Sequence, residues 1–305
     1  MFRIFKILFS CVLAVVTFLP IAGHAIVNGG TNEDRATFGS VLRFGTIENF
    51  KPTTGCSGVL VSPTLALTSA HCFTSSGETT AKIFMQKRGK KTTACVTWRT
   101  PTPDDPERRC VKRRINVVRH PSYKGEGDTE SDIAVVHIIN NSFSFKNKPI
   151  PKDYFARLYS DRLEHSKWMI MAGFGPVLPS GVGHGEYHES RFARTWIGDY
   201  HFFYEMGPNS RVCKGDSGGP ALLIAKGGDP DTDIVPATLP VVVGLLSNKE
   251  FGGNRWCGEK GQKARWTKIS PKVEWISETA RRLTGRACRQ AHGTIANVKV
   301  WLCFD

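Results

Sequence analysis

Short apolar runs separated by turn-forming residues dominate the sequence from residue 26 to about residue 246. Clear examples are residues 58–62, 133–138, 168–172 and 239–246. Each run has the length of a β-strand, and most are rich in the β-branched residues that strands favour. Many short strands of this kind are typical of sandwiches and barrels. The sequence therefore predicts an all-β fold over most of its length.

One helix is predicted near the C-terminus, where apolar residues recur at three- and four-residue steps. Ser270 and Pro271 suit the start of a helix, and Gly285 suits its end. We therefore expect a C-terminal helix over residues 271–284. Residues 285–305 would form an extension beyond it.

The N-terminal residues differ in character from the rest of the chain. A short basic start is followed by an almost wholly apolar stretch over residues 7–19, and then by Gly23, His24 and Ala25. This pattern is typical of a secretory signal peptide, here residues 1–25, that is removed on export. An uncleaved membrane anchor is the alternative, but the apolar stretch is short for a span of about 20 residues. We expect a secreted or periplasmic protein that does not contact a membrane after signal removal.

The cysteine content supports export. Of nine cysteines, Cys11 lies in the predicted signal and eight remain. An even number in an exported chain predicts four disulfides, and no CxxC pair suggests a zinc site, so no metal is expected. Cys95 and Cys110 bracket a loop-like segment, which favours a local bridge between them, while the sequence alone leaves the connectivity open. The eight cysteines are Cys56, Cys72, Cys95, Cys110, Cys213, Cys257, Cys288 and Cys303.

The chain is strongly basic, with a formal net charge of +14. Such a surface attracts acidic partners and favours solubility. Basic clusters lie at residues 87–91 and 108–114, where solvated loops are the ordinary explanation. Few aromatic residues are interleaved with them, so we do not expect a nucleic-acid partner.

Three short stretches together suggest nucleophilic catalysis. A serine hydroxyl needs a base to take its proton and a third group to orient that base. Leu-Thr-Ser-Ala-His71-Cys, Ser-Asp132-Ile-Ala-Val-Val and Gly-Asp-Ser217-Gly-Gly-Pro offer one candidate for each role. Taken singly, each stretch has an ordinary structural explanation, although the serine stretch is much more specific than a simple glycine turn.

In this order, the three stretches closely resemble the trypsin-like (chymotrypsin-fold) serine proteases. The segments Ile-Val-Asn-Gly-Gly at residues 26–30, Cys-Ser-Gly-Val-Leu at residues 56–60 and Ala-Gly-Phe-Gly at residues 172–175 also resemble segments of that family. The resemblance implies two six-stranded antiparallel β-barrels, with the active site between them. The barrels would occupy residues 26–142 and 143–270.

The resemblance also implies a role for each site residue. Ser217 would attack the scissile carbonyl, His71 would accept and return its proton, and Asp132 would orient His71. The backbone N–H groups of Gly215 and Ser217 would form the oxyanion hole. By the same matching, Cys56 would pair with Cys72 and Cys213 with Cys257. Cys95–Cys110 and Cys288–Cys303 would then be the remaining disulfides, and no cofactor is expected.

The resemblance further implies an activation pair between the amine of a new N-terminus and the acid before the nucleophile. These groups would be Ile26 and Asp216. Because Ala25 directly precedes Ile26, we expect signal cleavage itself to create the active terminus. The alternative is a start a few residues away, with Ile26 as an ordinary strand residue.

The matching positions of the substrate pocket depart from the family pattern. Arg211, six residues before the nucleophile, stands where an acid selects basic side chains, and Asn248 and Lys249 follow Ser247 in the pocket wall, with Ala264 opposite. A guanidinium can bind a carboxylate through two hydrogen bonds. We expect cleavage after acidic residues. The alternatives are that Arg211 pairs with an acid of the protein, or that Lys249 blocks the pocket.

The sequence as a whole predicts a secreted, monomeric serine endopeptidase that acts on proteins or peptides. The alternative is a secreted pseudoprotease that binds an anionic partner. A lipase-type esterase fits poorly, because the Gly-x-Ser-x-Gly elbow is missing and the triad residues occur in a different order.

Overall fold

The fold is described from a computed structural model. It describes residues 40–47, 55–86, 93–95, 112–125, 127–139, 144–145, 148–162, 168–175, 188–193, 196–206, 211–223, 240–249, 257–291 and 299–304.

The first sheet closes into a barrel. Its hydrogen-bonded order is β1-β2-β3-β7-β6-β4, and β4 also pairs with β1, so six strands form a ring to which β5 is added through β4. All of these pairs are antiparallel. The strands are β1 (Val41–Ile47), β2 (Cys56–Leu60), β3 (Leu65–Thr68), β4 (Gly77–Gln86), β5 (Thr93–Cys95), β6 (Lys112–Arg119) and β7 (Ala134–Ile138).

The second sheet contains ten strands. Six of them follow one another in antiparallel order, β12-β11-β15-β16-β17-β14. Strand β10 pairs in parallel with β16 and carries β19 on its other side. A two-stranded sheet of β8 (Ser144–Phe145) and β9 (Lys148–Pro149) separates the two large sheets along the chain. The ten strands are β10 (Arg157–Tyr159), β11 (Trp168–Gly173), β12 (His188–Ala193), β13 (Trp196–Ile197), β14 (His201–Glu205), β15 (Pro220–Leu223), β16 (Val241–Lys249), β17 (Lys263–Lys268), β18 (Arg289–Gln290) and β19 (Val300–Leu302).

Strand β2 shows how the alternating pattern builds two cores at once. Successive side chains of a strand point to opposite faces. Cys56 and Leu60 pack inside the first barrel, whereas Val59 and Val61 belong to a second apolar cluster shared by both sheets. That shared cluster includes Phe174, which follows β11 of the second sheet. The two barrels are therefore joined by a continuous apolar core.

The C-terminal helix α1 (Val273–Thr284) covers this shared core with Val273, Ile276 and Ala280. It begins slightly later than the expected residue 271, because the segment Ser270–Lys272 forms a 3₁₀ turn first. A proline in that turn fits its fixed φ and missing N–H. The helix ends at Gly285, whose φ of 77° suits a residue without a Cβ.

The chain after the helix returns to the second sheet. Strand β18 pairs with β19, and β19 pairs with β10. Val300 is buried in the core of the second barrel, while the ring of Phe304 packs against Phe155, which belongs to the core of the first barrel, with 5.1 Å between ring centroids. The extension therefore contacts both barrels.

The fold expected from the sequence is confirmed: the chain is mostly β-strand, in two curved sheets, with one C-terminal helix. The predicted signal at residues 1–25 lies outside the described residues. Within the described residues, no helix has both the length and the apolar character needed to cross a membrane.

Candidate active site

The sheet order brings His71 and Asp132 to the same end of the first barrel. His71 lies in a 3₁₀ turn, Ala70–Cys72, just after β3, and Asp132 lies just before β7. The two strands are antiparallel neighbours, with Thr68 opposite Ala134. The end of one strand and the start of the other therefore meet, although the two residues are far apart in sequence.

The carboxylate of Asp132 accepts three hydrogen bonds. The backbone N–H of His71 donates to Oδ1 at 2.8 Å, the Nδ1 atom of His71 lies 2.6 Å from Oδ2, and the Ser247 hydroxyl donates to Oδ2 at 2.7 Å. Asp132 is only 2% exposed. A buried carboxylate needs such partners, because it has lost its contact with water. The contacts also hold the imidazole with Nδ1 toward the carboxylate, so Nε2 is directed away from it.

Ser217 lies in a tight segment, residues 213–219, which we call the nucleophile loop. Two turns shape it: the N–H of Asp216 donates to the Cys213 carbonyl at 3.1 Å, and the N–H of Gly219 donates to the Asp216 carbonyl at 2.8 Å. Gly215 has a φ of 102°, a conformation that residues with a Cβ rarely adopt. The sequence Gly-Asp-Ser-Gly-Gly therefore suits the backbone path.

The first barrel holds the nucleophile loop in place. The N–H of Ser57 in β2 donates to the Ser217 carbonyl at 2.8 Å, and Sγ of Cys72 lies 3.9 Å from the same oxygen. Cys72 directly follows His71 in the sequence. The structure thus brings Ser217 beside the turn that carries His71, at the junction of the two barrels.

Asp216 is buried behind the nucleophile loop, with 2% exposure. Its Oδ1 accepts the N–H of Gly175 at 2.7 Å, and its Oδ2 accepts the N–H of Cys213 at 2.8 Å. A Cβ at Gly175 would lie within 2.8 Å of the carboxylate, so glycine is required for this close approach. Ile26, its expected partner, lies outside the described residues.

The structure contains three disulfides within its described part, and they are the pairs expected from the resemblance. Cys56 is bonded to Cys72, Cys213 to Cys257 and Cys288 to Cys303. The fourth expected pair lies outside the described residues, because Cys110 is not among them.

One group of potential metal ligands includes a candidate site residue. Ligand atoms of Cys56, His71 and Cys72 lie within 4.8 Å of one another. The two sulfur atoms are bonded to each other, so neither can be the thiolate that a metal would need.

The expected pocket residues lie on neighbouring parts of the second barrel. Strand pairing puts Asn248 opposite Arg265 and Lys249 opposite Ala264, which is buried. Arg211 is half-buried, and its Nε atom has no hydrogen-bond partner in the described part of the chain.

Core packing connects the pocket residues with the residue after Arg211. Val212, Ala264 and Trp266 belong to one buried cluster. The Trp266 ring is stacked on Phe202 with 5.6 Å between centroids. The backbone beside Arg211 is therefore anchored in the core of the second barrel.

The comparison with protein families found that the model described as Trypsin matches residues 28–276. The chain belongs to the trypsin family. It is therefore a hydrolase of the serine protease type, and proteases of this type act on proteins or peptides. Trypsin-like domains are typically secreted, and the disulfides fit an extracellular protein. A search of curated proteins found no match.

Two contacts within the candidate site of this trypsin-family chain were not predicted from the sequence. Ser247 was expected only as a pocket residue, but its hydroxyl donates to Asp132. Ser57 was noted only as part of a family-like segment, but its hydroxyl donates to the Gly215 carbonyl at 2.8 Å. Each contact joins residues more than a hundred positions apart, so no local sequence signal could have identified it.

Proposed function

We propose that this protein is an exported serine endopeptidase in which Ser217, His71 and Asp132 carry out peptide-bond hydrolysis. The observation that carries the proposal is the set of hydrogen bonds around Asp132, which holds the His71 imidazole from its Nδ1 side. A base oriented in this way is what a serine hydroxyl needs to become a nucleophile.

In the proposed reaction, the Ser217 Oγ forms a bond to the scissile carbonyl carbon while its proton moves to Nε2 of His71. The tetrahedral intermediate then breaks its C–N bond, and His71 returns the proton to the leaving amine. Water adds to the resulting acyl-enzyme by the same steps, which releases the acid and restores Ser217. Asp132 stays ionised and stabilises the imidazolium that forms at each step.

The N–H groups of Gly215 and Ser217 are proposed to bind the oxyanion of that intermediate. The intervening N–H of Asp216 donates to the Cys213 carbonyl, and the N–H of Gly218 donates to the Leu246 carbonyl at 2.8 Å. Within the described residues, no protein acceptor is found for the N–H groups of Gly215 and Ser217. Two donors without a protein acceptor, on either side of one that is bonded, suit an incoming oxyanion.

The experiment that tests this function is peptide hydrolysis by the mature protein and by Ser217→Ala. We expect the parent to cleave peptides and the variant to lose at least about 10³-fold in kcat, because nothing else can form the acyl-enzyme. An inactive parent that is correctly folded would contradict the proposal and leave the binding-module alternative, which no contact among the described residues favours. Equal activity in the two proteins would contradict it as well.

The finer proposal on activation is that the amine of Ile26 pairs with Asp216 after signal cleavage. The burial of the Asp216 carboxylate supports it, because a cation that reached this buried acid would be strongly favoured. N-terminal sequencing of the exported protein should find Ile26 as the first residue. A mature, active protein that starts at any other residue would refute this activation route.

The finer proposal on specificity is that the pocket prefers Glu or Asp before the scissile bond. It is supported by Arg211, which is half-buried and whose Nε atom has no hydrogen-bond partner in the described part of the chain. A library of peptides that differ only in the residue before the scissile bond should show preferred cleavage after Glu or Asp. Arg211→Ala should remove that preference, whereas preferred cleavage by the parent after Lys or Arg would overturn it.

A further inference from the structure

Ser57 of the first barrel touches the nucleophile loop through its backbone and its side chain. Its N–H donates to the Ser217 carbonyl at 2.8 Å, and its Oγ donates to the Gly215 carbonyl at 2.8 Å. Its own carbonyl lies so close to Gly218 that a Cβ there would collide with it. Ser57 is fully buried. Its hydroxyl is therefore surrounded by protein and not by water.

The alternation of β2 explains why the Ser57 side chain faces this loop. Cys56 and Leu60 point into the first barrel, and Ser57 lies on the opposite face together with Val59. This is the face that meets the second barrel. A polar side chain is tolerated there because both its donor and its acceptor capacity are used.

The hydroxyl of Ser57 bridges two segments of the second barrel. It donates to the Gly215 carbonyl and accepts the N–H of Phe174 at 2.9 Å. The next N–H along the chain, that of Gly175, donates to Asp216 at 2.7 Å. The segment after β11 therefore holds the nucleophile loop at two successive residues, once directly and once through Ser57.

This bridge matters because Gly215 has an unusually free backbone. Glycine readily occupies many φ and ψ values, and Gly215 has a φ of 102°. A rotation about these bonds would turn its N–H away from the position of the oxyanion. A buried hydrogen bond that fixes the Gly215 carbonyl restricts that rotation.

We propose that Ser57 is a positioning residue for the oxyanion hole: its hydroxyl fixes the peptide that follows Gly215 and so keeps the Gly215 N–H aimed at the transition state. The inference rests on the proposed function. The side chain itself does not contact the substrate. It acts on the rate because a fixed donor needs no reorganisation when negative charge develops.

The test compares Ser57→Ala and Ser57→Gly with the parent, and uses Ser277→Ala as the matched control. The Ser277 hydroxyl is also buried and also donates to a carbonyl, that of Cys288 at 2.9 Å, but it lies on α1. The readouts are kcat and KM on the peptide p-nitroanilide that the parent cleaves best, the affinity for a peptide boronic acid with the same sequence, and the melting temperature.

We expect the hydroxyl-free variants to lose about tenfold or more in kcat with little change in KM, short of the roughly 10²–10³-fold loss seen when an oxyanion donor is removed outright. The boronic acid, which mimics the tetrahedral intermediate, should lose affinity by a similar factor. Ser57→Thr, which keeps a hydroxyl on the same carbon, should recover part of the kcat. Ser277→Ala should keep the parental kcat even if its melting temperature falls.

A lower melting temperature with the parental kcat in Ser57→Ala would overturn the inference, because the hydroxyl would then serve stability alone. Failure of both hydroxyl-free variants to fold would overturn it in the same way. If the folded parent itself cleaves no peptide, the proposed function fails instead, so the two failures can be told apart.

Discussion

At the scale of residues, the site depends on a few buried polar groups whose hydrogen bonds cross between the barrels. Asp132, just before β7 of the first sheet, accepts a hydrogen bond from Ser247 in β16 of the second sheet. Thr267 of β17 donates to the carbonyl of Thr129 at 2.8 Å. Losing one partner leaves the other buried without compensation, which costs more than the net contribution of the bond itself. Replacing a small polar residue that contacts Asp132 should therefore have a large effect on activity.

Ser247→Ala should lower kcat roughly tenfold to a hundredfold. A hydrogen bond to a charged group contributes about 1.5–3 kcal/mol, and here it holds the carboxylate that faces His71. Steady-state kinetics would measure the effect. Ser69→Ala is the matched control, because the Ser69 hydroxyl donates to the neighbouring Leu246 carbonyl at 2.7 Å and not to the carboxylate. Equal kcat values for Ser247→Ala and the parent would show that the serine does not orient Asp132.

His120 should make the fold sensitive to mild acid. Burial, assisted by the charge of Lys272, lowers the pKa of His120 to about 4. The His120 ring packs edge-on against the ring of Trp275, with 4.7 Å between the ring centroids. The unfolded chain, with a histidine pKa of about 6.5, then binds more protons than the folded chain between the two values. Stability should therefore fall as the pH drops from about 6.5 toward 4.

Thermal melts of the parent and of His120→Asn between pH 4 and pH 7 would measure this contribution. The variant should lose less stability across that window, since an amide does not titrate. Parallel melting curves for the two proteins would contradict the assignment. His137, which lies on β7, is a second histidine whose pKa is lowered by burial, so it can be compared with His120.

At the scale of elements, the strands inside the barrels and the C-terminal helix could be predicted, because their apolar residues recur with the period of each structure. The pairing of β10 in parallel with β16, and the return of β19 to β10, could not. Both pairings join segments that are distant along the chain, and each has only two residue pairs in register. No local pattern specifies such contacts.

The C-terminal extension should stabilise the protein without assisting catalysis. The disulfide from Cys288 to Cys303 closes a loop with a sequence separation of 15, for which chain entropy predicts about 3 kcal/mol. It keeps Phe304 against Phe155 and near Arg157. The double variant Cys288→Ser, Cys303→Ser should unfold at a lower denaturant concentration and keep its kcat at 25 °C.

Arg289→Ala is the control for that experiment, because Arg289 is exposed and lies in the same extension. It should unfold at the same denaturant concentration as the parent. If the double variant loses activity while it remains folded, the extension takes part in the site and not only in stability.

At the scale of the whole molecule, both barrels are needed for activity because the proposed site is divided between them. His71 and Asp132 come from the first barrel, and Ser217 and Ser247 come from the second. The shared apolar core and the contacts of Ser57 hold the two parts of the site in a fixed position relative to each other. The stretches that carry the three side chains could be found in the sequence. The bonds that connect them could not, since those bonds depend on how the barrels pack.

The most direct test of the central claim is to identify the residue that a fluorophosphonate modifies in the folded, mature protein. Peptide mapping by mass spectrometry should find the adduct on Ser217 alone. Labelling should slow by at least about 10³-fold in His71→Ala, which keeps the serine but removes its base. An adduct on another residue, or an undiminished labelling rate at Ser217 without His71, would contradict the claim that these side chains form one activated nucleophile.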